Sequence, residues 1–240
     1  MLSDINRFLS SYVLSDSGKY LFLVYCRRQR FLLALTFRMP REHKLKIGVM
    51  GSASGPQSED PVAREKARLL GKEIGRRGCI FINGACPGLP NDALLGAKEE
   101  GGMTLGISPA FSLYQHVNEY RSPHSHDMII YTGMGFMERD VINIRSADAI
   151  VIIGGGIGTL NEFTIAYDEG RPIGVLTGTG GISNSIEHIV VELCKREMPP
   201  SLVMDDDPVK LMDKLEAAIK ACPLPMIEDH RVRKLGEGRG

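Results

Sequence analysis

From residue 46 onward, short unbroken apolar runs alternate with longer segments of helical period. The runs at 46–51, 79–84, 103–108, 127–133, 149–155, 172–178 and 201–204 read as strands. The segments 58–78, 88–101, 134–147, 159–170, 183–197 and 207–221 read as helices. Ser58 is the expected N-cap of the first helix, with Pro61 in its first turn. A strand that is apolar at every position is buried on both faces, as in a parallel sheet sandwiched between helices. The pattern therefore predicts a doubly wound, Rossmann-like α/β domain: a parallel sheet of about seven strands with helices on both faces. Such sheets bind ligands outside the carboxyl ends of their strands.

The ends of the chain depart from this pattern. Two apolar runs, YLFLVY and FLLALTF, flank the basic CRRQR within the first 38 residues. Each is too short to cross a bilayer, and no small-residue cleavage site follows. Met39, leading through basic residues into the first buried strand, reads as a natural start. Residues 1–43 are thus expected to be a leader outside the fold, 44–222 a single nucleotide-binding domain, and the charged, glycine-rich 223–240 a frayed tail.

Charge and cysteine usage narrow the function classes. Lysine plus arginine equal aspartate plus glutamate, 29 each. A protein that coats nucleic acid carries a basic excess, so a nucleic-acid partner is not expected. The five cysteines (Cys26, Cys79, Cys86, Cys194, Cys222) form no CxxC pair and read as reduced thiols of a cytoplasmic protein. No apolar run is long enough to span a membrane.

The candidate chemistry lies in loops at one edge of the predicted sheet. GSASG (51–55), NGACPGLPND (83–92), TGMGF (132–136) and GGGIGT (154–159) all follow strands. Glycines there let backbone N–H groups approach a ligand closely, and several such loops at one edge point to a nucleotide or phosphate. The candidate binding residues are Gly51, Ser52, Gly84, Gly155, Gly156, Gly158 and Thr159. Neither G-x-G-x-x-G nor GK[ST] occurs, which disfavours hydride and phosphoryl transfer. The long connection 109–126 is of the kind that covers a site. His124 and His126 beside Asp127 match no metal-ligand spacing and read as a solvated turn, so no metal is expected.

Two charged residues have competing readings. Thr159 and Glu162 fit a capping box, in which Glu162 reaches back to the Thr159 N–H. Alternatively, Glu162 faces the sugar of a nucleotide whose phosphate lies on the adjacent glycines. Arg139 falls opposite an apolar stripe of Met137, Val141 and Ile144, with no acid at helical spacing to pair with it. It is either solvated or aimed at an anionic ligand. Helix 159–170, with Leu160, Phe163, Ile165, Ala166 and Tyr167, is apolar on more than one side, which predicts a homodimer or higher homo-oligomer.

The segment MERDVINIRSADAIVIIGGGIGTLNE, with GVMGSASG, NGACPGLPNDALLGAKEEGG and LGISPA upstream, resembles the Lonely Guy (LOG) family, formerly described as possible lysine decarboxylases. The resemblance covers roughly residues 46–178. It implies a dimeric enzyme that hydrolyses the N-glycosidic bond of nucleoside 5′-monophosphates, of cytokinin riboside monophosphate or AMP type, releasing base and ribose 5-phosphate. It further implies that Arg139 and Glu162 are the catalytic pair and that Gly155 to Thr159 hold the phosphate, with no cofactor. This chain has Gly154 where the family has proline, Asp140 where it has lysine after the arginine, and Asn161 where it has the first of two glutamates. The GGGxGT variant is similar to a branch that includes molybdenum-cofactor carrier proteins. That implies an alternative: a non-catalytic nucleotide or molybdenum-cofactor binding protein.

Overall fold

The structure is a computed structural model that describes residues 8–14, 19–26, 31–38 and 44–221. The chain divides into two compact units, Met1–Lys44 and Leu45–Gly240. In the first, strands β1 (Phe8–Leu14), β2 (Lys19–Cys26) and β3 (Phe31–Arg38) form an antiparallel sheet in the order β1-β2-β3. The apolar runs YLFLVY and FLLALTF lie within β2 and β3. The tail 223–240 lies outside the described residues.

The second unit is built on a seven-stranded sheet. Its strands are β4 (Lys46–Gly51), β5 (Ile80–Asn83), β6 (Thr104–Ser108), β7 (Met128–Tyr131), β8 (Ala149–Ile153), β9 (Ile173–Leu176) and β10 (Leu202–Asp205). Their order is β10-β9-β8-β4-β5-β6-β7, and every pairing is parallel. The helices are α1 (Pro56–Glu59), α2 (Pro61–Arg76), α3 (Leu89–Glu99), α4 (Gly135–Ser146), α5 (Ile157–Asp168) and α6 (Pro208–Ala221). This is the doubly wound α/β architecture expected from the alternation of apolar runs and helices.

Alternate residues of the central strands feed two cores. Ile47, Val49, Phe81, Val151 and Ile153 pack with Ala67, Leu70 and Ile74 of α2, with Ala93 and Leu94 of α3, and with Leu211 and Leu215 of α6. Met50, Ile82, Ile107, Ile150 and Ile152 pack with Ile144 of α4, Phe163 and Ala166 of α5, and Ile186. Strand order reverses beside β4, so the chain leaves β4 and β8 in opposite senses. That opens a crevice at their carboxyl ends.

Local chemistry shifts several boundaries. The first helix is two pieces. Asp60, not Ser58, caps α2 by accepting from the Val62 N–H at 3.0 Å, while Ser58 Oγ donates to Gly55 O at 2.7 Å. The predicted helix 183–197 is a helical segment of changing pitch. It starts as a tight turn at Gly181–Asn184 and widens over His188–Leu193, where Cys194 N bonds to Ile189 O. Lys195, with φ 52°, ends it. Among the described residues no helix is long and apolar enough to cross a membrane.

Connection 109–126 is not structureless. Gln115–Glu119 form a helical turn, and His116, fully buried, ties it down through Ser108 Oγ at 2.9 Å and Pro123 O at 2.9 Å. His126 is likewise buried rather than solvated. Its Nε2 donates to Asn83 Oδ1 at 2.7 Å, and the same oxygen accepts from the Ala85 N–H at 2.8 Å. Burial pushes His126 down to about 4, so the ring stays neutral at ordinary pH. His126 therefore braces the loop after β5. Asp127 instead accepts from Thr104 and Lys98.

Candidate functional site

Four segments meet at the crevice: the loop after β4, the loop after β5, the start of α4, and the loop from β8 into α5. They enclose a cavity of about 340 Å³. Gly51, Ser52, Gly84, Arg139, Gly156, Gly158, Thr159 and Glu162 all line it. Gly155 does not: its N–H is taken by Ser52 Oγ at 2.7 Å. Ser52 thereby clamps the β4 loop to the glycine loop. Gly154 is held in the same way by Thr179 Oγ1 at 2.8 Å. Gly154 has φ 60°, which proline, fixed near about −65°, cannot adopt. The turn in this chain thus requires a residue other than proline.

Helix α5 begins at Ile157, two residues earlier than the sequence suggests, with Gly156 as its N-cap. Thr159 therefore sits inside the first turn and is no cap. Glu162 does not reach back to it, and the capping-box reading fails. Instead Glu162 is 8% exposed, and its Oε1 accepts from Asn143 Nδ2 at 3.5 Å. A Cβ on Gly156 or Gly158 would meet nothing within 4 Å, so the start of α5 opens onto free space. The first N–H groups of a helix lack intrahelical acceptors and attract anions.

Helix α4 turns a different face inward from the one its apolar stripe suggests. Arg139, Asp140, Asn143 and Ile144 are buried, while Met137 is 52% exposed. The first half of α4 lies over the crevice rather than over the sheet, so its inward face is polar. Arg139 is 4% exposed, and its guanidinium lies against Gly84, where a Cβ would come within 1.8 Å of Nη1. Nη2 approaches Cys86 Sγ at 3.7 Å. Nε lies 3.9 Å from Asp140 Oδ1, too far for a hydrogen bond, and has no partner. Arginine is thus the cation of a buried site, not a solvated side chain.

The electrostatics follow from burial. Desolvation, then the Asp140 carboxylate, push Glu162 up to about 8 against the opposing pull of Arg139 and Asn143. Asp140 is also raised, chiefly by burial, although Arg139 and the Asn161 amide (3.1 Å from its Oδ2) favour its charge. Burial pushes the Cys86 thiol up as well. Asn143, Asn161 and Cys86 were not singled out in the sequence as site residues. Asn143 was in principle visible, one helical turn beyond Arg139. Cys86 carried no signal beyond its place in a glycine loop. Among the described residues no cluster of three or more His, Cys, Asp or Glu side chains could hold a metal.

The geometry predicts a selective defect. In Gly84→Ala the new methyl group occupies the place of Nη1, the movable end of a long side chain, so Arg139 must swing away. Ligand affinity or turnover should fall at least about tenfold with less than about 1 kcal/mol lost in urea unfolding. A variant with unaltered function would show that the guanidinium position is immaterial.

Comparison with known proteins agrees with this fold. An uncharacterized protein of Archaeoglobus fulgidus is 32% identical over 132 residues, 55% of this chain and 80% of that protein. The cytokinin riboside 5′-monophosphate phosphoribohydrolase of Mycobacterium tuberculosis is 29% identical over 107 residues, 44% of this chain and 54% of that enzyme. The molybdenum cofactor carrier protein of Chlamydomonas reinhardtii superposes with a TM-score of 0.60 at 27% identity, covering 74% of this chain and 99% of that one. Over residues 44–212 the chain matches the sequence model of the LOG-like SLOG cluster4 family, and it belongs to that family.

Proposed function

We propose that the protein hydrolyses the N-glycosidic bond of a nucleoside 5′-monophosphate, releasing the base and ribose 5-phosphate. The observation that carries this reading is that buried Arg139 and Glu162 line the same cleft as the open start of α5. The phosphate sits on the first N–H groups of α5, from Gly156 to Thr159. Glu162, one turn further in, meets the sugar, and Arg139 approaches from the opposite wall. Phe136 and Met137, half-exposed at the cleft edge, offer an apolar surface to the base. Kinship with the mycobacterial phosphoribohydrolase supports the reaction class. Incubation with AMP, isopentenyl-adenosine monophosphate and a panel of other monophosphates should yield free base by chromatography. Absence of base from every member of the panel would overturn the proposal.

A second reading is favoured by the likeness to molybdenum-cofactor carriers. The same residues suit a phosphorylated fused-ring cofactor: the start of α5 for its phosphate, Phe136 and Met137 for its ring. On that reading Arg139, Asp140 and Glu162 bind and orient, and calorimetry would find tight binding without turnover.

We further infer a homodimer, on a different surface from the one the sequence suggests. In α5, Phe163 and Ala166 are buried, and Leu160, Ile165 and Tyr167 pack against the same core, so its apolar excess is largely used within the chain. Ile157 at its first turn stays exposed (81%), but a larger set of exposed apolar side chains lies elsewhere: Phe111 (69%), Leu113, Tyr114, Met128 and Ile130 on edge strand β7, and Met134, Phe136 and Met137 at the start of α4. Tyr120 packs against Phe136, ring centroids 5.1 Å apart and tilted by 44°, joining the loop to α4. Apolar surface gathered in this way marks an interaction site. Light scattering should report at least twice the chain mass. A fully active monomer would refute the dimer.

A further inference from the structure

We propose that Asp140 and Glu162 hold one proton between them, and that Glu162 hands this proton to the departing base. Only the second half rests on the hydrolase reading.

The charge count of the cluster motivates the proposal. Arg139, Asp140 and Glu162 are 4%, 5% and 8% exposed. One guanidinium balances one carboxylate. A second ionised carboxylate would be a buried charge without compensation, a state that a carboxyl group avoids by keeping its proton. The surrounding amides indicate which acid is ionised. Asp140 Oδ2 accepts from Asn161 Nδ2 at 3.1 Å, and Oδ1 lies 3.9 Å from Arg139 Nε, an ion-pair distance without a hydrogen bond, so an amide donor and the cation both favour its charge. Glu162 is less well served. The Asn143 Nδ2 that reaches its Oε1 at 3.5 Å lies closer to Met50 Sδ, at 3.0 Å.

The amide oxygen of Asn143 is buried without a donor. A half-turn of that amide presents its oxygen to a protonated Glu162, whose O–H then satisfies it. The charged and titratable groups facing Glu162 are Arg139 and Asp140 from α4 and Cys86 from the loop after β5. The Cys86 thiol is itself held neutral by burial. Burial first, then the Asp140 charge, against the pull of Arg139 and Asn143, leaves the Glu162 midpoint at about 8.

The step balances as follows. As the C1′–N bond breaks, its electron pair stays on the base nitrogen, which takes the Glu162 proton. Water adds its oxygen to C1′ and returns one proton to the pair. One water is consumed, base and ribose 5-phosphate leave, and the pair again holds one proton. Asp140 is a positioning residue here, because it acts through Glu162.

Carboxyl ¹³C NMR of the ligand-free full chain tests the pair without turnover. The Glu162 signal is assigned by its loss in Glu162→Gln. It should titrate at about pH 8 in the unaltered protein. In Asp140→Asn it should titrate at least about one pH unit lower, and the alkaline limb of base release should move down with it. A Glu162 midpoint in the ordinary carboxylate range of the unaltered protein would overturn the pair without any variant. So would an unmoved midpoint in folded Asp140→Asn. If the titration holds but no nucleotide yields base, the shared proton stands, and its delivery falls together with the hydrolase reading.

Discussion

Glu162→Gln is expected to lose at least about a hundredfold in base release, the scale of a positioned acid–base or electrostatic group. The same variant should be more stable than the parent at neutral and alkaline pH. Glutamine keeps the shape of Glu162 and cannot ionise. The sign follows from the pKa. Glu162 sits at about 8 in the folded chain, against 4.5 for a free glutamate. Between these values the unfolded chain has released the proton and the folded chain has kept it, so stability falls as pH rises through this window. The slope is on the order of 1.4 kcal/mol per pH unit. Below the window both states are protonated and the parent loses nothing. Differential scanning calorimetry at pH 8 should therefore show Glu162→Gln melting about 10 °C or more above the parent, with the gap closing at pH 4–5. Normal turnover in the variant would remove Glu162 from the chemistry. A lower melting temperature at pH 8 would show that its carboxyl is stabilising there.

The sheet was legible because parallel strands buried on both faces appear as unbroken apolar runs. Ile150 to Ile153 is one such run, with alternate residues feeding the two cores. The glycine loops were legible for a related reason: residues after parallel strands gather at one edge whatever their side chains. What the sequence obscured was the orientation of the helices that bear the charged groups. Periodicity assigns the buried face of α4 to Met137, Val141 and Ile144, on the assumption that buried means apolar. Over the crevice the buried face is Arg139, Asp140 and Asn143, and Met137 is outside. Likewise TLNE satisfies a capping pattern, but Gly156 starts α5 two residues earlier and leaves Glu162 pointing into the cluster. Nothing in the sequence signals that His126 is buried rather than solvated, because its partner, Asn83, lies 43 positions away. Local patterns carry no information about such long-range partners.

Arg139→Ala is expected to abolish base release and also to destabilise the fold, in a way that distinguishes charge from packing. Removing the guanidinium leaves the buried carboxyls of Asp140 on α4 and Glu162 on α5, which raise each other's cost of ionisation, without their cation. Stripping one partner from a buried charged cluster typically costs about 3–5 kcal/mol. Here the cost should depend on pH. Without Arg139 the folded-state midpoints of both carboxyls rise further, so the destabilisation is full in alkaline solution and fades as pH falls and both groups take up protons. Urea unfolding at pH 8 and at pH 5 should show a large deficit at the first and a small one at the second. Adding Asp140→Asn should restore most of the stability at pH 8, because only one acid then remains to be neutralised, yet it should not restore turnover. Light scattering should show the assembly unchanged, since Arg139 is buried within its own chain. Equal losses at both pH values would mean that the arginine acts by filling space against Gly84 and Cys86, and the charge-balanced cluster would have to be abandoned.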